Sequence, residues 1–195
     1  MNKAGEENRS VRNTKRRLRD GLLQLLDRKP INEISVKELT DLVDVNRGTF
    51  YFHYQDIFDL LHNIETEFFE QFDLRVSINP DIFSDAELRL YLSAIFSFVG
   101  ENQTFCRIML GPHGDMQFVE RVKSRIDAQC SHFWQKLFKG ANRSRYDSYN
   151  AFIINGCVGM IQQWLNTGGP MTIDDITQLA VLIIKASVIP CIAEP

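Results

Sequence analysis

From Val11 to Val188 the apolar residues recur at steps of three and four, and no stretch alternates in the two-residue rhythm of a half-buried strand. A chain patterned this way buries its apolar faces by packing helix against helix, so an all-α fold is expected. Its punctuation divides the pattern into nine helices. Leu18, Leu22, Leu25 and Leu26 form the stripe of a first helix from about Val11 to Arg28, stopped at Lys29-Pro30 because proline disfavours a helical residue before it. Ser35-Val-Lys-Glu38 has the form of a capping box and opens a short second helix ending near Val43. Asp44-Val45 makes a turn, and Asn46 is a good cap for a third helix of about seven residues. Asp56 can cap a fourth, with Phe58, Leu61, Ile64, Phe68 and Phe72 on its stripe.

Later helices are bounded as clearly. Ser84-Asp-Ala-Glu87 is a second capping box, opening a helix to about Gly100. A shorter one holds Phe105, Ile108 and Met109 and stops at Gly111-Pro112. Asp115 begins a long helix closed by Gly140, another covers about Arg143 to Asn166, and Thr172-Ile-Asp-Asp175 caps the last, which should end near Val188 before Pro190. Residues 1–8 read as a flexible tail, 9–55 as one small domain and 56–195 as a larger helical one.

Composition narrows the class. Apolar residues make up 44% and charged ones 24%, as in an ordinary soluble globule. No apolar run approaches the roughly 20 residues that span a bilayer. The polar start lacks the apolar core of an export signal, so a cytoplasmic address and no membrane partner are expected. Cys106, Cys130, Cys157 and Cys191 are far apart and set in apolar surroundings, which suits reduced, mostly buried thiols. There is no glycine-rich phosphate loop, HExxH, nucleophile elbow or CxxC pair, and His53, His62, His113 and His132 have no metal-ligand spacing. Neither an enzyme nor a metal or other cofactor is expected.

The net charge of −3 conceals an asymmetry. Residues 9–54 carry ten Lys/Arg against six Asp/Glu, whereas 55–195 carry eleven against seventeen. A basic head on an acidic body suggests that the head meets a polyanion. Within it, two short helices joined by a tight turn over Ser35–Tyr54 have the form of a helix-turn-helix. Seven helical residues are roughly 10 Å long, and the DNA major groove is about 12 Å wide. Phe50 and Tyr54, at i and i+4, should pack inward with Val45. That leaves Arg47, Gly48, Thr49, Tyr51, Phe52 and His53 on the outer face. Arg47 can donate in bidentate fashion to guanine, Thr49 and Tyr51 offer hydroxyls to phosphate or base, and Phe52 can meet a thymine methyl.

The run Val45-Asn-Arg-Gly-Thr-Phe-Tyr-Phe-His-Tyr54, followed by Leu60-Leu61, resembles the signature of the TetR family of regulators. The likeness is specific over about Thr14 to Leu61 and weaker beyond, where Leu110–Asp115 and Gly156–Trp164 resemble one C-terminal subtype. The resemblance implies a nine-helix protein with a helix-turn-helix head and a C-terminal effector and dimerisation body. By position it implies that Thr49, Tyr51 and His53 are recognition-helix contacts, with Tyr51 and His53 near phosphate or sugar. Arg47, Gly48 and Phe52 would be sequence-reading, with Asn46 at the helix start. Thr14 and Lys15 would approach the backbone, and Val36 and Lys37 would meet a phosphate at the second helix's start, where free amides favour anions. Three departures stand out. Ile57 replaces a lysine that holds a phosphate in many members, and Val43-Asp44 replaces an alanine and glycine; aspartate tolerates a left-handed turn better than most residues.

The resemblance also implies a pocket among helices five to eight for a small apolar or aromatic effector, with Phe96, Phe105, Met109, Trp134, Cys157 and Trp164 as candidate lining. The body holds 12 of the 14 phenylalanines, and most must simply build its core. The last two long helices carry broad apolar faces, and Ile154, Val158, Ile161, Val181 and Ile184 are expected in a homodimer interface, a four-helix bundle between two copies. The functional expectation is a homodimeric regulator of a near-palindromic double-stranded DNA operator, a repressor released by its effector. The alternative is the same scaffold controlled by a protein partner, with weak or no effector binding.

Overall fold

The computed structural model describes residues 9–77, 84–137, 143–168 and 171–192, with side chains 131–146 and 188–192 outside the description. All regular elements among them are helical. The chain divides into two compact units, Met1–Glu70 with Pro112–Gly114, and Gln71–Gly111 with Asp115–Pro195.

The first unit contains α1 (Arg9–Leu26), α2 (Val36–Leu42), α3 (Arg47–His53) and the start of α4 (Ile57–Arg75), with a 3₁₀ turn at Ile31–Glu33. The leucine stripe of α1 is buried as its period requires: Leu18 and Leu22 are fully enclosed, as are Leu39, Phe50 and Leu60. Each such side chain contributes roughly 1.5–3 kcal/mol of hydrophobic stabilisation. Ser35 caps α2 by accepting from the Glu38 amide at 3.1 Å. The Glu38 carboxylate does not complete the box; it pairs with Lys29 Nζ at 2.7 Å. At the start of α4, Asp56 Oδ1 accepts from the Asp59 amide (2.8 Å) and Asp59 Oδ2 accepts from the Gln55 amide (2.9 Å). This start sets the phase of α4 and corrects its expected stripe: Leu61, Ile64, Phe68 and Phe72 are buried, but Ile57 takes the place of Phe58, which is 56% exposed.

In the second unit α5 (Asp85–Glu101) and α6 (Gln103–Met109) are followed by α7 (Met116–Leu137), α8 (Arg143–Thr167) and α9 (Ile173–Ile192). Helix α5 lies along α9, while α8 packs against α6, α7 and α9. Ser84 caps α5 through the Glu87 amide. Thr172 and Asp175 form a reciprocal box on α9, the Thr172 amide reaching Asp175 Oδ2 at 2.8 Å and the Asp175 amide reaching Thr172 Oγ1 at 3.2 Å. The Thr172 hydroxyl, donating to Asp175 Oδ2 at 2.7 Å, and then the Thr172 amide hold the Asp175 carboxyl below its usual range. Helix α9 runs past Pro190 to Ile192 rather than ending near Val188. Proline there removes one amide donor in the final turn, where little helix remains to disrupt. Aromatic edge-to-face pairs knit the core, Phe105 on Phe118 at 5.4 Å and Phe72 on Phe98 at 5.5 Å.

The apolar faces of α8 and α9 correct another expectation. Ile154, Val158, Ile161, Val181 and Ile184 are all buried within the single chain, so they are core residues and offer no face to a second copy. These helices leave a different apolar set in water: Phe152, Leu179, Leu182 and Ile183, with Phe152 64% exposed. Beside Leu179, Gly156 and Gly159 floor a groove walled by Met160, Trp164 and Met171, and a Cβ on either glycine would meet nothing within 4 Å.

Candidate nucleic-acid interface

Helix α3 is a short segment fixed at both ends and from one side. Asn46 Oδ1 accepts from the Gly48 amide at 2.7 Å, the cap expected from its position. A side chain at Gly48 would bring its Cβ to 3.1 Å from that same oxygen, so glycine keeps the cap relaxed. Phe50 is fully buried, Tyr54 is buried beside it with ring centroids 5.8 Å apart, and Val45 is half-buried. These three face inward as i, i+4 geometry requires.

The outer face is as polar and open as the spacing implied. Arg47, Gly48 and Thr49 are exposed, Tyr51 is 58% and Phe52 81% in water, and His53 is half-buried against the Phe52 ring at 5.0 Å. The structure therefore brings together a guanidinium, a hydroxyl, a phenol, an imidazole edge and one bare aromatic ring on a helix slim enough for a major groove. Val36 begins α2 half-buried and Lys37 is exposed beside it; Thr14 and Lys15 lie half-buried on α1. Ile57 is 4% exposed, a core side chain, so this position presents no group to a phosphate.

The turn between α2 and α3 depends on Asp44 and on two residues of α1 that sequence reasoning passed over. Asp44 takes φ = 49°, the left-handed region its replacement of glycine demanded. Arg17, on α1, donates to the carbonyl of Val43 and, at 3.0 Å, to that of Asp44. One helical turn later Gly21 makes room for the same turn: a Cβ there would lie 2.2 Å from Val43 Cγ1 and 3.0 Å from Leu39 Cδ1. The signal was present as an arginine and a glycine at i and i+4 on the face of α1 that also carries Leu18 and Leu22. The Val45 amide closes the turn on the Thr40 carbonyl at 3.0 Å.

In the second unit, only part of the expected lining meets at one cavity. Phe96 and Cys157 line an enclosed space of about 50 Å³ together with Tyr91, Cys130 and the aliphatic side chains of α5 and α8. Phe105 and Met109 are buried elsewhere in the core, and Trp164 borders the surface groove, its Nε1 donating to the Met171 carbonyl at 3.0 Å. The Trp134 side chain lies outside the described residues. Burial pushes the Cys130 and Cys157 thiols up to about 11, and Cys106 to about 12, so all three are neutral near pH 7. No helix among the described residues is long and apolar enough to cross a membrane.

Comparison with known proteins supplies the family. No curated protein matches the sequence significantly. Among solved structures, a TetR transcriptional regulator from Streptococcus agalactiae 2603V superposes with a TM-score of 0.64 at 21% identity, over 91% of this chain and 96% of that one. A TetR-like transcriptional regulator from Rhodococcus sp. RHA1 gives 0.71 at 16% identity, over 94% and 99%. The dihydroxyacetone kinase operon activator DhaS gives 0.54 at 15%, over 91% and 97%. These likenesses establish the fold. The TetR-type family model described as a transcriptional regulator C-terminal region matches residues 87–186, just over half of the chain. With the helix-turn-helix geometry of the head, that match means the chain belongs to the TetR family of transcriptional regulators.

Proposed function

We propose that two copies of this chain bind a near-palindromic operator in the cytoplasm, repress transcription there, and release it when a small effector occupies the body. The observation that carries the DNA reading is the sidedness of α3: Phe50 and Tyr54 secure it while Arg47, Thr49, Tyr51 and Phe52 stand in water. An aromatic ring 81% exposed on the tip of a capped helix serves no packing purpose in the free chain, and a thymine methyl would cover it. Arg47 would read guanine, Thr49, Tyr51 and His53 would hold base or backbone, and Lys37, Lys15 and Thr14 would meet phosphates. In a dimer two such heads, roughly 34–36 Å apart, would engage successive major grooves. Phe152, Leu179, Leu182 and Ile183 are the side chains proposed to meet across the dimer, since they are the large exposed apolar ones on α8 and α9 among the described residues.

The test is a binding titration of the full chain against the DNA upstream of its own gene, repeated across salt concentrations. Sequence-specific binding whose affinity falls steeply as salt rises supports the reading; no binding at low salt refutes it. A promoter-fusion assay then decides repression against activation. The second reading, control by a protein partner, is favoured by the modest cavity and by Phe58, 56% exposed on α4. Retained operator control with no response to any small molecule would support it.

A further inference from the structure

The corner between α2 and α3 has two carbonyls that the helical ladder leaves over. Helix α2 closes at Val43, and Asp44 follows in the left-handed region. Carbonyls at a helix C-terminus lack intrahelical donors, and a cation there also meets the negative end of the helix dipole. Here the cation comes from α1. Arg17 Nη2 donates to the Val43 carbonyl and, at 3.0 Å, to that of Asp44. Hydrogen bonds from a charged donor are roughly twice as strong as neutral ones. The Asp44 carboxylate, 3.8 Å from the guanidinium and fully open to water, adds little. Arg17 therefore grips the main chain itself, fixing two successive peptide groups. Four residues on, the same helix receives the Val43 side chain in the space left by Gly21. The corner is thus pinned from α1 through both its backbone and a side chain.

The consequence falls on α3. Phe50 and Tyr54 bury its middle and its far end, whereas Arg47 begins it directly after the corner and the Asn46 cap. A tilt of about 10° on a helix roughly 10 Å long moves one end by about 2 Å relative to the other. An N–H···O bond keeps its strength only over roughly 2.7–3.2 Å. We propose that Arg17 is a positioning residue for DNA recognition, acting through the corner rather than on the DNA, so that Arg47 and Thr49 are aimed at the groove before the duplex arrives. The inference deepens the DNA reading above and rests on it.

The test compares the full native chain with Arg17→Met, which keeps an apolar stem and removes the donors and the charge. Each is titrated against a duplex from upstream of its own gene and against a scrambled duplex of the same composition. Unfolding curves give the folded fraction of each protein, by which the affinities are corrected. Arg17→Met should bind the operator duplex about tenfold more weakly. Its affinity for the scrambled duplex should stay within about twofold, and its salt slope within about half a unit. In a chain already carrying Arg47→Ala and Tyr51→Ala, the same substitution should cost no more than about twofold, because few contacts of α3 remain to be aimed. Unchanged operator affinity, an equal loss on both duplexes, or an equal loss in both backgrounds overturns the proposal. So does a salt slope lowered by about one unit, which marks a direct phosphate contact by Arg17. A native chain that prefers neither duplex refutes the DNA reading and this proposal with it, whereas a native preference that survives intact in Arg17→Met refutes this proposal alone.

Discussion

Helices α3 and α5 put aromatic side chains to opposite uses. On α3, Phe50 is sealed in the core and Phe52, two residues on, is 81% exposed among Arg47, Thr49 and Tyr51. On α5, Tyr91, Phe96 and Phe98 are all buried. The head thus forms its candidate site from what remains after a minimal core is satisfied, side chains whose job lies outside the chain. The body forms its own from a shortfall in packing, a gap walled by apolar side chains. A surface of the first kind is tuned by exchanging exposed residues at little cost to folding. One of the second kind cannot be altered without touching the core.

Four experiments with substituted chains can break or sharpen this contrast. The largest effect is expected from Phe118→Ala: the ring is 1% exposed and paired with Phe105, and its loss should cost about 3–5 kcal/mol in denaturant unfolding. Next, Arg47→Ala combined with Tyr51→Ala should weaken operator binding at least about thirtyfold, at roughly 1–3 kcal/mol per lost contact. The unfolding midpoint should stay put, because both side chains are exposed; an unchanged affinity would dissolve the distinction between the regions. Smaller is Gly21→Ala. Alanine favours a helix by about 1 kcal/mol over glycine, but overpacking against the stiff Val43 side chain costs roughly 1–3 kcal/mol, so a net loss of about 1 kcal/mol is expected. Adding Val43→Ala should restore stability by removing the atom in the way. Smallest is Asp44→Gly, a gain of about 0.5 kcal/mol from relief of the left-handed backbone, measured by the same unfolding curve. It forgoes only an exposed 3.8 Å ion pair with Arg17, worth a few tenths of a kcal/mol at most.

Much of the head was legible because its information is local. Asn46 capping Gly48, and Phe50 with Tyr54 turned inward, follow from spacings of two and four residues. The caps at Ser84 and Thr172 were legible for the same reason. Where the reading missed, periodicity left open a choice that the folded chain decides. Two adjacent apolar residues, Ile57 and Phe58, compete for one inward position, and helix phase set by Asp56 and Asp59 chooses between them. Ile154, Val158, Ile161, Val181 and Ile184 announce an apolar face, but periodicity does not say whether its own chain or a second copy covers it. Their burial shows that the chain does. Phe105 and Trp164 were named for a cavity they do not line, since a void is a property of how several helices fail to meet and no single residue encodes it.

The Arg17 bonds to the Val43 and Asp44 carbonyls bear on portability. The proposed reading element is an assembly of three helices in which an arm from the first latches the corner between the other two. A fragment cut at Ser35 would leave that latch behind along with the hollow at Gly21 that receives Val43. Transplanting the specificity of this protein onto another scaffold therefore means moving α1 together with the pair it clasps.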